Sequence, residues 1–200
     1  MDLSKYKIPV DTMRKIIDLN SRLNGYEYGF ISRDRKHRHI NTENFEGYQV
    51  LKPEEFEKYK IGVCWDYAIY EAWWFKKNLP DVEYHTWFIV YGNDDDCPTH
   101  TFLTFNFNGK WYWFESSYHK HQGIWESESE ENILQNVLQY MNKDDYLERD
   151  LSRYPAYIVK YDALNPQLNH LSCSQFMKYM SNSGLKRVQV KDLKELRKIS

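Results

Sequence analysis

Between Asp11 and Leu23 the apolar residues recur at helical spacing. Ile16, Ile17, Leu19 and Leu23 mark one side, Asp11 stands where a cap is needed, and Asn24-Gly25 ends the pattern. From 26 to 50 the periodicity is lost and glycines fall at Gly29 and Gly47, so an irregular segment is expected. Lys52-Pro53-Glu54-Glu55 puts a proline and two acids into a first turn and predicts a short helix that stops before Gly62. A further helix runs from about Cys64 to Asn78, closed by Leu79-Pro80. Ala68 and Ala72 share the face of Cys64, and small side chains there let the helix lie close against a sheet.

The period then changes. Tyr84 to Tyr91 is β-branched and aromatic and reads as a strand. His100 to Phe107 and Lys110 to Glu115 flank Asn108-Gly109, the strongest short hairpin signal a sequence carries. Glu130 to Met141 predicts a helix and Ala156 to Tyr161 a strand. Ser172-Cys173-Ser174-Gln175 has capping-box form and opens a helix to about Met180, and Val190 to Ile199 reads as a short basic amphipathic helix. Helices first and antiparallel strands after predict an α+β fold with the Cys64 helix packed on an antiparallel sheet.

The 200 residues fit one domain, with 42% hydrophobic and 28% charged positions. Net charge is −2 and the sequence pI is near 6.4, which argues against nucleic acid as a partner. The basic run Ser32 to Ile40 is interrupted by Asp34 and has no aromatics interleaved with its basic residues; a solvated loop is expected there. Cys64, Cys97 and Cys173 are too few and scattered for a disulfide framework and point to a reducing compartment. No apolar leader or membrane-length apolar stretch is visible, so a cytoplasmic protein without a membrane partner is expected.

The chemistry concentrates at three residues. Cys64 falls in the first turn of its helix, where free N–H groups and the helix dipole favour a thiolate. A thiolate nucleophile needs a histidine, and the histidine needs an orienting acceptor. If Asn108-Gly109 is a two-residue turn, Phe107 faces Lys110, Phe102 faces Glu115 and His100 faces Ser117. His100, Phe102, Thr104, Trp111, Trp113 and Glu115 then project to one side, with Glu115 the diagonal neighbour of His100. A glutamate at the end of an aromatic strand is costly to bury unless paired, and His100 would pair it. The Cys64 backbone N–H is the natural oxyanion donor, with Gln49 a candidate second donor and Trp65 and Trp113 candidate substrate contacts. Asp66, at the helix start, is expected to cap a loop or meet the dipole.

With those residues in view, the chain resembles the transglutaminase-like (papain-like cysteine) superfamily. Gly62-Val63-Cys64-Trp65-Asp66-Tyr67-Ala68 resembles that superfamily's nucleophile segment, which often shows Gly-x-Cys followed by Asp and Ala. His100-Thr101-Phe102-Leu103 resembles the strand that begins with its histidine, and Trp113-Phe114-Glu115 the end of the next strand, where an acid completes the triad. The stretch from Tyr28-Gly29-Phe30-Ile31 to Glu115 is more closely similar to a small bacterial branch, and the resemblance covers about residues 26 to 125, leaving about 130 to 200 as an extension. It implies a papain-like core and cysteine acyl transfer or hydrolysis on an amide or ester of a protein, peptide or other acyl substrate. Cys64 would be the nucleophile, His100 the acid/base and Glu115 the orienting acid, with no cofactor and no metal. The superfamily usually has aspartate where this chain has Glu115, so the carboxylate is displaced by one methylene.

Other classes compete. Cys97-Pro98-Thr99-His100 followed by His119 and His121 is a loose metal-ligand pattern without a familiar closed-site spacing. Asp94 to Asp96 reads as a solvated turn rather than a calcium loop. The main alternative is a catalytically inactive binding module on the same fold, holding a peptide or glycan in an aromatic cleft.

Overall fold

A computed structural model describes residues 7–40, 45–92, 98–145, 147–190 and 195–200. In chain order these form α1 (Lys7–Leu23), β1 (Glu27–Tyr28), β2 (Phe30–Ile31), β3 (Arg38–His39), α2 (Pro53–Tyr59), β4 (Ile61–Gly62), α3 (Cys64–Asn78), β5 (Tyr84–Tyr91), β6 (Thr99–Phe107), β7 (Lys110–Glu115), β8 (Gly123–Ser127), α4 (Glu130–Lys143), β9 (Ala156–Tyr161), α5 (Cys173–Asn182), β10 (Lys186–Val188) and β11 (Arg197–Lys198). The fold is α+β. Its main sheet has the order β10-β9-β5-β6-β7-β8-β11, and every pair in it is antiparallel.

The alternation of strand side chains builds two cores. Phe88, Leu103, Phe105, Phe114 and Val159 point to one face and pack with α3, where Phe75 meets Phe105 at 5.4 Å and Phe114 at 5.8 Å between ring centroids. Ile89, Tyr91, Phe102, Trp113 and Ile158 point to the other and meet Ile133, Leu134, Val137 and Leu138 of α4. The helix α3 is buried along every position from Cys64 to Ala72 because other elements cover it away from the sheet. Trp65 stacks on Phe176 of α5 at 4.1 Å, and Tyr67 and Tyr70 close on Phe56 of α2 at 4.8 and 5.2 Å. Apolar and aromatic residues all round a helix are the mark of such a central position.

The hairpin takes the expected register. Phe107 pairs with Lys110 and Leu103 with Phe114, and Asn108 and Gly109 both have positive φ (53° and 76°), as a type I′ turn requires. The basic run folds into the small β2–β3 hairpin, where Arg38 pairs with Glu27 at 2.7 Å and Arg35 with Glu55 at 2.9 Å. Two expectations are corrected. The segment 26–50 contains short strands, among them β1, which pairs in parallel with β4. The C-terminal segment is no helix where it is described: Arg197–Lys198 pairs with β8 as an edge strand. The free N–H and C=O groups of β8 provide the partner: Ile199 N–H donates to Ile124 O at 2.8 Å, and Arg197 pairs with Glu126 at 3.0 Å. No helix among the described residues is long and apolar enough to cross a membrane.

Candidate active site

The site begins with how α3 starts. Gly62 is needed for a close approach: a Cβ there would stand 2.6 Å from the Phe56 ring and 2.7 Å from Asp66 Cβ. Val63 follows in extended conformation as the N-cap residue and has no side-chain oxygen to offer. The capping work falls to Asp66, which accepts from Val63 N–H at 2.9 Å, Leu51 N–H at 2.7 Å and the Tyr48 hydroxyl at 3.1 Å. Asp66 thus ties the loop 48–51 to the mouth of α3. Burial pushes its carboxyl up to about 7, against the pull of those three donors.

Cys64 is the first residue of α3 and is 5% exposed. His100 and Glu115 come from the sheet. Ladder parity puts both on the side of Phe102 and Trp113, but each stands at an end of its strand, where the sheet stops and the mouth of α3 is adjacent. His100 Nε2 donates to Glu115 Oε2 at 2.7 Å, and both residues are buried. Glu115 Oε1 accepts from Ser117 N–H (2.7 Å), Ser117 Oγ (3.0 Å) and Tyr118 N–H (2.7 Å), so the carboxylate is held from both oxygens. With Nε2 committed to Glu115, Nδ1 is the ring nitrogen left to exchange a proton, and the Cys64 side chain stands near enough to His100 to help raise its pKa.

The electrostatics follow from that geometry. Burial opposes charging His100, but the Glu115 charge and the hydrogen bonds to Cys64 and Glu115 prevail and raise its pKa to about 10. For Glu115, burial raises the pKa, while the His100 charge and the hydrogen bonds from His100, Tyr118 and Ser117 lower it; the lowering wins. Phe102 stacks on the imidazole at 5.6 Å and Tyr118 meets it edge-on at 5.4 Å, fixing its plane. Glu71, two turns along α3 from Cys64, is a second buried carboxyl. Burial and the Glu115 charge hold it well above the usual carboxylate range. Asn20 of α1 donates to Glu115 O at 2.8 Å and to Ser116 Oγ at 3.2 Å, which fixes the strand end from below. A thiol, an imidazole and an anion in this order can pass a proton from sulfur to ring and back to a leaving group.

Among known proteins, no family model matches the chain, and no curated protein matches it.

The remaining sequence candidates are placed as follows. Gln49 is half-buried on the loop that Asp66 ties down, and no hydrogen bond among the described residues links its amide to Cys64. Trp65 is 4% exposed and sandwiched among Phe176, Tyr48 and Phe45, so it joins α3 to α5 rather than facing a substrate. Trp113 is fully buried against Tyr140 and Trp125 and forms core under α4. These two packing roles replace the expected substrate contacts. Cys97 and Asp94 to Asp96 lie outside the described residues. His121 pairs with Asp144 at 2.7 Å and His119 faces Tyr28, so neither joins His100. Sequence reasoning missed Ser117 and Tyr118; the available signal was an acid ending a strand just before a turn, whose free N–H groups need an acceptor.

Proposed function

We propose that this chain is a cysteine-dependent acyltransferase or hydrolase acting on an amide or ester, on a papain-like, transglutaminase-like core. The observation that carries the reading is the 2.7 Å bond between His100 Nε2 and the fully held Glu115 carboxylate, with the Cys64 thiol near enough to the imidazole to help raise its pKa. The chain order of thiol, histidine and acid also supports it, as does the placing of Cys64 at the start of a buried helix. In this mechanism the proton rests on His100, which Glu115 keeps as an imidazolium, and the Cys64 Sγ attacks the carbonyl carbon as a thiolate. The tetrahedral adduct collapses, and His100 returns the proton to the departing amine or alcohol. Water or an amine then attacks the thioester and passes its proton to His100, and Cys64 departs as the thiolate beside the restored imidazolium. Glu115 keeps the ring oriented and balances its positive charge.

The test is acylation by p-nitrophenyl acetate, with the acetyl group mapped by peptide mass. The expected result is a burst of p-nitrophenol with the acetyl group on Cys64, lost in both Cys64→Ala and His100→Ala. Acetylation shared indifferently between Cys64, Cys173 and surface lysines, and unaffected by His100→Ala, would contradict the reading.

A further inference from the structure

The last torsion of a histidine is soft, so a buried imidazole keeps its plane only where neighbours restrain it. The bond from Nε2 to Glu115 is one restraint, and the Tyr118 ring, edge-on at 5.4 Å, is another. Tyr118 lies in the turn 116–122, which leaves β7 directly after the acid. Its own place is fixed at both ends. At the backbone, Tyr118 N–H donates to Glu115 Oε1 and Tyr118 O accepts from His121 N–H, each at 2.7 Å. At the far end of the ring, the hydroxyl shares its one hydrogen between Tyr140 O at 3.2 Å and Asp144 Oδ2 at 3.3 Å. Both acceptors stand at the C-terminal end of α4, where Asp144 is the capping residue. Asp144 is held in turn: Oδ2 also accepts from His121 Nε2 at 2.7 Å, and Oδ1 accepts from Lys120 Nζ at 3.1 Å. His121 stacks on Tyr140 at 4.1 Å and stands edge-on to Tyr118 at 4.8 Å. Burial raises the Asp144 carboxyl, but the hydrogen bonds from His121 and Lys120 prevail and lower it, so it is an anion at neutral pH. Burial, then the Asp144 charge, raises the Tyr118 phenol, which keeps the hydrogen it donates.

We propose that Asp144 and Tyr118 are positioning residues of the site: the end of α4 grips the Tyr118 hydroxyl and so holds the ring against His100. This rests on the acyl-transfer reading above. The helix α4 lies in the extension beyond the stretch that resembles the superfamily, so the extension completes the site as well as covering the sheet. The effect passes through the imidazole. A ring kept in the plane of its bond to Glu115 presents its charge to the thiolate, and a ring free to swing presents it only part of the time.

The pH profile of Cys64 alkylation by iodoacetamide, read by peptide mass, separates positioning from loss of structure. At about pH 6 the rate depends on the thiolate that His100 sustains, whereas above about pH 9 the thiolate forms without help. Tyr118→Phe keeps the ring and the N–H bond to Glu115 and removes only the hydroxyl. It is expected to slow alkylation about tenfold at the acid end and less than about twofold at the alkaline end, a shift of the profile by about one pH unit. Asp144→Ala is expected to shift it likewise. Asp144→Asn keeps an acceptor oxygen for the hydroxyl and is expected to recover most of the parental rate. Tyr118→Phe combined with Asp144→Ala is expected to shift the profile no further than the larger single change, because both remove one contact. An acid-end rate in Tyr118→Phe within about twofold of the parent would overturn the proposal. So would an equal change at both ends of the range, which is what a loosened site gives. If Cys64 of the unaltered protein has no advantage over Cys173 at about pH 6, the acyl-transfer reading itself falls, and this proposal with it; the unaltered control tells that result from failure of the positioning role alone.

Discussion

Glu115 shows how much of one residue's chemistry depends on its neighbours. Its carboxylate accepts four hydrogen bonds in a site almost closed to water, and among the described residues His100 is its only cationic partner. Removing it leaves a buried imidazolium and two backbone N–H groups without an acceptor. Glu115→Ala is therefore expected to cost about 3–5 kcal/mol in urea unfolding, whereas Glu115→Gln keeps an acceptor and costs less. The pair also sets a pH window. The folded pKa of His100 is raised, so its contribution is complete below 6.5 and is lost as pH rises through about 10. The folded pKa of Glu115 is lowered, so its contribution is complete above 4.5 and is lost as pH falls through the lowered value. Urea midpoints of the parent and of His100→Gln should therefore converge at the alkaline end. Parallel curves across the whole range would contradict the charged pair. Residue identity alone made Cys64, His100 and Glu115 legible, since the hairpin register followed from Asn108-Gly109. Ser117 and Tyr118 were not legible as site residues, because their roles depend on where a turn places an N–H or a hydroxyl.

At the scale of elements, the start of α3 is the most constrained place in the chain. Asp66 ties α3 to the loop 48–51, and Gly62 lets the Phe56 ring of α2 press against the strand that leads into Cys64. Gly62→Ala puts a methyl group 2.6 Å from that ring, and overpacking of this kind costs about 1–3 kcal/mol. The same change should reduce Cys64 acylation, because the shift is relieved by moving the start of α3. Combining it with Phe56→Leu is expected to restore both stability and acylation in part. Equal acylation in the parent and in Gly62→Ala would show that the mouth of α3 tolerates displacement. The long elements were readable because each carried its own signal: α3 and β5 have the expected bounds, and the Ser172–Gln175 box caps α5. The short ones were not. β1, β4, β10 and β11 hold two or three residues each, and their conformation is set by a partner strand distant in sequence.

For the whole molecule, the central fact is that the site is shared between layers. Cys64 arrives on a helix that packs on one face of the sheet, while His100 and Glu115 continue the pattern of the opposite face and meet it only where the strands end. A sequence pattern gives the faces but not where they converge, which is why the thiol could be named and its distance from the imidazole could not. The most direct test is the rate of Cys64 alkylation by iodoacetamide from about pH 5 to about pH 9, in the parent and in His100→Ala, with Cys173 as the internal control. Burial raises the Cys173 thiol, so it should react slowly. The account predicts that Cys64 outpaces Cys173 well below the ordinary thiol value of about 8.5, and that His100→Ala removes the advantage. Equal rates for the two cysteines, or an advantage that survives His100→Ala, would contradict it.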